Sequence, residues 1–521
     1  MTPLADSVVA AASRERDAAT PATRPDAPSV HTLLLQATLL GISGDALLYE
    51  AEPGPGLAIW VALLGLATVS LTWGAGRRMP REAAAWLGAA IVFTTLIAWR
   101  ESEALRFLDV LAAIAALGLA AISLRDPSLA LWAPRLRDTV WAGAAIVGNV
   151  VRGIVPLALR ELFAADRHSG WVGRARTAAR MALIAGVLLL VFGSLLRSAD
   201  PIFARLVDLP ALDVGTIVSH IIVAGVFAWI AGGWAYGALV ASPNSRRAPD
   251  RLPFTLNTLD VTTALGTLNV LFGAYVLTQL GWFFGGERFL HATTGLTAAE
   301  YARQGFFQMV WVVVLVVPLL LATRAALAPD HALARRHTLL SLPVVGLLSA
   351  IVLSAALRMR LYVHYYGLTT ERLFTLVFMG WLTIVLVLLA ATVLRGRGRS
   401  FVASSVISGL TLLAGLHVVV PDLVVARVNI ARAASAPAGV RSELDLPHLA
   451  SLSGEAIPLA VAATLAAPMG ASASVTTADA NAQRCDAASR LLWEWGPVSR
   501  AAERHRAPGA WRSWNAGESR V

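Results

Sequence analysis

The residues best suited to chemistry lie in Ala356 to Leu373, ALRMRLYVHYYGLTTERL, where Arg358, Arg360, Arg372, His364, Tyr362, Tyr365, Tyr366 and Glu371 fall between two strongly apolar runs. Arginine forks match planar carboxylates and phosphates, so this set is suited to holding an anion. Charge this dense is costly beside hydrocarbon unless it sits at the water boundary or meets partners, which puts any site here at a membrane face. Arg358 and Arg360 lie two apart and diverge by about 200° on a helix. One is able to snorkel outward while the other points into a bundle.

A second box, GLTAAEYARQGFF at Gly295 to Phe307, holds Thr297 and Glu300 in capping-box order, with Arg303 one turn after Glu300. That pattern serves a helix start. Tyr301 and Arg303 serve a ligand only if they face a cavity. In a third box, Ser198 to Phe203, Asp200 precedes Pro201 and either caps a short helix or acts as counter-charge to the arginines. The candidate ligand-binding set is therefore Asp200, Glu300, Tyr301, Arg303, Arg358, Arg360, Tyr365, Tyr366, Glu371 and Arg372. No catalytic constellation accompanies it. The single cysteine, Cys485, and the lack of Cys/His ligand spacing argue against a disulfide, a metal site or a cofactor.

The scaffold that must position these groups is written in the composition. Of 521 residues, 56% are hydrophobic and 15% charged, and the mean hydropathy is +0.64, against roughly 45–50% and 25% in soluble domains. All 43 basic residues are arginine, and they outnumber the 33 acidic ones to give a net charge of +10. Arginine retained on cytoplasmic loops explains that excess without a nucleic-acid partner.

Residues 1–30 have the composition of a disordered cytoplasmic tail. Eleven apolar segments follow, near 31–46, 55–73, 83–99, 104–124, 180–196, 214–239, 260–282, 304–323, 339–357, 372–394 and 401–420, each near the ~20 residues a helix needs to cross a bilayer. The expected fold is an all-α polytopic transmembrane bundle of about eleven spans. It divides into a four-span region (31–124), a cytoplasmic loop (125–179), a seven-span region (180–420) and a C-terminal tail (421–521). Arg77, Arg78 and Arg81, then Arg246, Arg247 and Arg251, then Arg324, Arg335 and Arg336, then Arg395, Arg397 and Arg399 occupy alternate loops. They assign those loops and the N-terminus to the cytoplasm. Thr139 to Leu159 carries Asn149 and Arg152 near its centre and is read as an amphipathic helix on the cytoplasmic surface, since a twelfth span would invert the arginine pattern. Ala456 to Pro468 is too short to span. Eleven crossings leave the tail extracytoplasmic and helical, with tryptophans suited to the headgroup level. Within the spans, Asn269, Gln279, His220 and His417 suit interhelical hydrogen bonds, and Asp260 a helix cap.

The boxes ADPIF, FFGG with GLTAAEYARQGFF, RMRLYVHYYGLTTERL, PDLVVARVNIARA, LDLPHLASLSGEAIP and WRSWN together resemble the bacterial polytopic membrane family catalogued as domain of unknown function 4173 (DUF4173), over roughly 180–515. That resemblance implies a bacterial inner-membrane protein and brings no activity with it. Three functions stay open. The first is binding or transport of an anionic small molecule or lipid through the outer-face Arg/Tyr/Glu cluster. The second is an enzyme on a lipid-linked substrate, with Glu50 and Glu52 as its acidic pair, although no nucleophile or metal cluster supports it. The third is an envelope scaffold or signalling component that meets another protein through its tail.

Overall fold

The computed structural model describes residues 27–126, 136–152, 154–163, 214–241, 255–294, 306–327, 330–395, 400–435, 445–466, 477–493 and 510–516, with scattered positions between 173 and 192. Among these the chain is all-helical, with one isolated bridge between Leu256 and Leu327. In chain order the helices are α1 (Val30–Leu48), α2 (Pro55–Gly74), α3 (Arg81–Ile97), α4 (Glu103–Arg125), α5 (Leu136–Arg152), α6 (Ile154–Phe163), α7 (Val214–Ala235), α8 (Thr258–Thr294), α9 (Phe306–Ala325), α10 (His331–Tyr366), α11 (Thr370–Leu388), α12 (Phe401–Val419), α13 (Pro421–Ala434), α14 (Leu446–Ala450), α15 (Ile457–Ala466) and α16 (Thr477–Trp493). Single π turns continue α7 through Val240 and α11 through Val393, and a 3-10 turn covers Ala510–Ser513.

Nine described helices, or helices extended by their π turns, are long and apolar enough to cross a membrane. Expected span three corresponds to α3, which has 17 residues. Expected span five lies mostly outside the described residues. Two helices run well past their expected ends: α8 continues to Thr294, and α10 extends from Asp330, whose side chain accepts from Ala332 N at 2.9 Å, to Gly367. Each has a polar end segment that adds turns beyond the apolar run.

Two cores divide the bundle. One joins α1 to α4 with α7, and the other joins α8 to α11. Small residues bring α1 and α7 together: a Cβ on Gly41 would lie 2.5 Å from the Ala224 carbonyl oxygen, so only glycine fits. Phe93, Leu105, Ala112, Ala113, Leu413 and Leu416 then bind α3 and α4 to α12. Away from these cores, Leu66, Ile221, Val270, Leu277, Trp311 and Leu315 stand exposed. An apolar exterior of this extent belongs in contact with lipid.

Along α5 and α6, Ile146 and Ile154 are buried in the first core while Val147, Val151, Val155 and Leu159 are exposed at four-residue spacing. Apolar residues therefore occupy both the core-facing and the exposed side of this pair. Glu161 Oε1 lies 3.7 Å from His31 Nδ1, tying the end of α6 to the start of α1.

The four polar residues expected to join helices within the spans do so. Asn269 donates to the Leu340 carbonyl at 2.9 Å, and Gln279 Oε1 accepts from Ser354 Oγ at 3.3 Å and from Arg358. His220 meets Asp45, and His417 meets Asp109. Asp260 is not itself the cap of α8: Asn257 Oδ1 accepts from Leu259 N and Asp260 N, while Asp260 Oδ2 accepts from Asn257 N at 2.9 Å.

Candidate functional site

The loops after α1, α3 and α10 meet at one end of the bundle, and the C-terminal segment folds back over them. Arg512 donates to the Ala46 carbonyl at 3.0 Å, and Ala516 N to the Ala98 carbonyl at 2.9 Å. Asn515 Nδ2 donates to the Ile97 and Arg100 carbonyls at 2.8 and 2.7 Å. Two polar constructions result.

The first is a buried clasp. Arg100 donates from Nε and Nη2 to the His417 carbonyl at 2.9 and 2.5 Å, and from Nη1 to Glu455 Oε1 at 2.6 Å. The side chains of Arg100 and Glu455 are 8% and 3% exposed. Beside them Glu101 Oε2 accepts from Gly454 N at 2.5 Å. Asp422, at the head of α13, accepts from Thr370 Oγ1 at 3.1 Å and from Ser453 N at 3.3 Å.

The second is a cleft of about 220 Å³ lined by Tyr366, Leu368, Thr369, Arg372, Asn429, Arg432, Asp445, His448 and Leu449. Its wall is the turn between α10 and α11. Gly367 has φ +77°, a left-handed conformation that favours glycine, and a Cβ there would lie 2.7 Å from Asn429 Oδ1 and 3.1 Å from Arg432 Nη2. Asn429 holds the next residue by both its groups: Oδ1 accepts from Leu368 N at 2.8 Å and Nδ2 donates to Leu368 O at 2.7 Å. Thr369 caps α11, accepting from Arg372 N at 3.4 Å. Arg372 donates to the Tyr366 carbonyl at 3.2 Å and to the Gly367 carbonyl, with its guanidinium 4.4 Å from the Tyr362 ring centre. Tyr362 in turn packs on Tyr366, ring centres 4.8 Å apart. Asp445, the one acidic residue lining the cleft among the described residues, accepts from His448 N at 3.0 Å as the cap of α14. His448 Nε2 has no hydrogen-bond partner among the described residues.

Of the sequence-predicted set, Tyr366 and Arg372 line this cleft. Glu371 is exposed in the first turn of α11. Tyr365 lies in the last turn of α10. Arg358 and Arg360 diverge as their spacing requires: Arg358 is 4% exposed and bonded to Gln279, whereas Arg360 is exposed. Neither lines the cleft. Asp200, Glu300, Tyr301 and Arg303 lie outside the described residues. The sequence reading missed Asn429, Arg432 and His448. Asn429 and Arg432 stand three apart on α13, and that one-face spacing beside the arginine box was the available signal.

An all-helical bundle with several bilayer-length apolar helices and a lipid-facing exterior defines an integral, multi-pass membrane protein. A family model described as Domain of unknown function (DUF4153) matches residues 87–463, and the chain belongs to that family. This corrects the resemblance to DUF4173. The matched region begins within α3 and takes in α4, a part of the chain that the resemblance did not cover, and it ends before the WRSWN box. The boxes quoted for that resemblance are short stretches rich in polar residues between apolar segments of the sequence, and they did not separate two families of membrane proteins. No curated protein and no solved structure matches the chain.

Proposed function

We propose that this membrane protein binds an anionic ligand, a phosphate or carboxylate group, in the cleft between the α10–α11 turn, α13 and α14. The observation that carries the reading is the convergence of Arg372, Arg432 and His448 on one cavity, where Asp445, the acidic residue among the described lining, is directed at a backbone amide of its own helix. Arginine forks bind such groups through paired, charge-assisted hydrogen bonds. Tyr366, Leu368 and Leu449 give the cavity apolar walls beside the charges, which suits a ligand with an apolar portion. The arginine-rich loops at the opposite end support a cytoplasmic assignment for that end, and hence an extracytoplasmic cleft in a plasma membrane.

Calorimetric titration of the purified protein with inorganic phosphate, pyrophosphate and dioctanoyl phosphatidylglycerol tests this. At least one probe is expected to bind saturably. Arg432→Gln and Arg372→Gln are each expected to weaken that binding about ten-fold, the effect of losing one charge-assisted hydrogen bond. Binding of equal strength in both variants, or no binding of any of the three probes, overturns the proposal.

A further inference from the structure

Asp109 of α4 and His417 of α12 meet inside the bundle with Nε2 3.0 Å from Oδ2 and side-chain exposures of 2% for His417 and 1% for Asp109. The other ring nitrogen, Nδ1, lies 3.0 Å from the carbonyl oxygen of Leu413, one turn earlier. A carbonyl only accepts, so Nδ1 carries a proton. A neutral imidazole protonated at Nδ1 presents a lone pair at Nε2, and an ionised carboxylate also presents lone pairs. Two acceptors do not hold each other at hydrogen-bond distance. The contact therefore requires one further proton between them, either on Oδ2 donating to Nε2 or on Nε2 donating to Oδ2. Both arrangements are net neutral, as the surrounding cluster of Phe93, Leu105, Ala112, Ala113, Leu413 and Leu416 favours. Asp109 Oδ1 has no hydrogen-bond partner among the described residues, which adds to the cost of ionising this carboxyl.

We infer that Asp109 and His417 form an intramembrane proton-binding site whose occupancy is linked to the seating of the C-terminal segment. The link is the backbone of His417 itself, whose carbonyl takes two donors from Arg100 while Arg100 holds Glu455. Removing the proton leaves a neutral ring with one N–H for two acceptors, the Leu413 carbonyl and the ionised Asp109 carboxylate, so one of these two contacts is lost beside a buried negative charge and the Arg100 anchor on the His417 carbonyl is disturbed with it.

The charged groups on the surrounding elements have other partners. Arg106 bonds the Arg100 carbonyl at 3.4 Å and lies 3.5 Å from Glu52. Glu101 is held by Gly454 N, and Asp422 by Thr370 and Ser453. α11 packs Phe374 and Val377 against this cluster, and α3 contributes Phe93 and Leu96.

The test uses the full chain in lipid nanodiscs with an environment-sensitive fluorophore on Cys485, which is exposed on α16, a helix packed on α14 and α15. As pH rises, the unsubstituted chain is expected to release one proton from this site together with a change in fluorescence. Asp109→Asn lets an amide donate to Nε2 and keeps the contact without a titrating proton. That variant, and likewise His417→Gln, is expected to bind one proton fewer and to lose the fluorescence transition. Asp109→Asn binding as many protons as the unsubstituted chain, or a transition that survives in both variants, overturns the inference. Infrared difference spectra of the unsubstituted chain, taken above the range where exposed carboxylic acids and histidines titrate, remove any dependence on a variant folding. Loss of one carboxylic-acid or imidazolium band is expected, and a flat difference spectrum also overturns the site. None of these measurements needs an anion, so they stand or fall apart from the cleft.

Discussion

The clasp around Arg100 and the cleft around Arg372 lie at the same end of the bundle, and both form where the C-terminal segment meets interhelical loops. They differ in what surrounds the charge. Arg100 directs its donors at a carbonyl and at a carboxylate that is 3% exposed, with its own side chain 8% exposed. Arg372 also donates to carbonyls, those of Tyr366 and Gly367, but it and Arg432 border a cavity of about 220 Å³. A matched, enclosed charge fixes one segment to another, whereas cations beside open volume leave room for an incoming group. Density of charge at a membrane boundary does not by itself tell these apart.

The sharpest way to break the comparison is to unmatch the clasp. Glu455→Ala leaves the Arg100 guanidinium buried without its carboxylate, and such a loss costs about 3–5 kcal/mol. Thermal unfolding in detergent should show a larger drop than either Gly367→Ala or Arg358→Gln produces, and the double variant Arg100→Leu with Glu455→Leu should recover part of it. A cost near that of an exposed pair, about 0–1 kcal/mol, would mean the clasp is not enclosed in solution and the contrast with the cleft fails.

Next in size is Gly367→Ala. At φ +77°, with a Cβ placed 2.7 Å from Asn429 Oδ1, the substitution strains the turn and displaces the two residues that shape the cleft wall. The expected cost is about 1–3 kcal/mol, and anion binding should fall together with stability. Destabilisation with unchanged binding would separate the turn from the site and move the ligand elsewhere.

Much of this architecture is legible in the sequence because bilayer helices must satisfy their own backbone and carry about 20 apolar residues. Hence α1, α2, α7, α11 and α12 fall close to their expected limits. The pairing of His417 with Asp109 is not legible, since 308 positions separate them and periodicity on either helix carries no information about the partner. Likewise nothing local connects Glu455 to Arg100 across 355 positions. The arginine box drew notice to the turn that walls the cleft because its charges are contiguous in sequence. Arg432 and His448 escaped because they reach the cleft only after α13 and α14 fold back.

The smallest expected effect is also the most discriminating within that box. Arg358 and Arg360 are the same residue type two positions apart on α10, yet Arg358 is 4% exposed and donates to Gln279, whereas Arg360 is exposed. Arg358→Gln removes a charge-assisted hydrogen bond between α10 and α8 and should cost about 1–3 kcal/mol in thermal unfolding. Arg360→Gln lies away from that contact and should stay within about 0.5 kcal/mol of the unsubstituted chain. It should also leave phosphate, pyrophosphate and dioctanoyl phosphatidylglycerol titrations unchanged, because Arg360 does not line the cleft. If Arg360→Gln weakened anion binding as much as Arg432→Gln, the ligand would sit on the exposed side of α10, and the cavity would no longer be what distinguishes this region from the clasp.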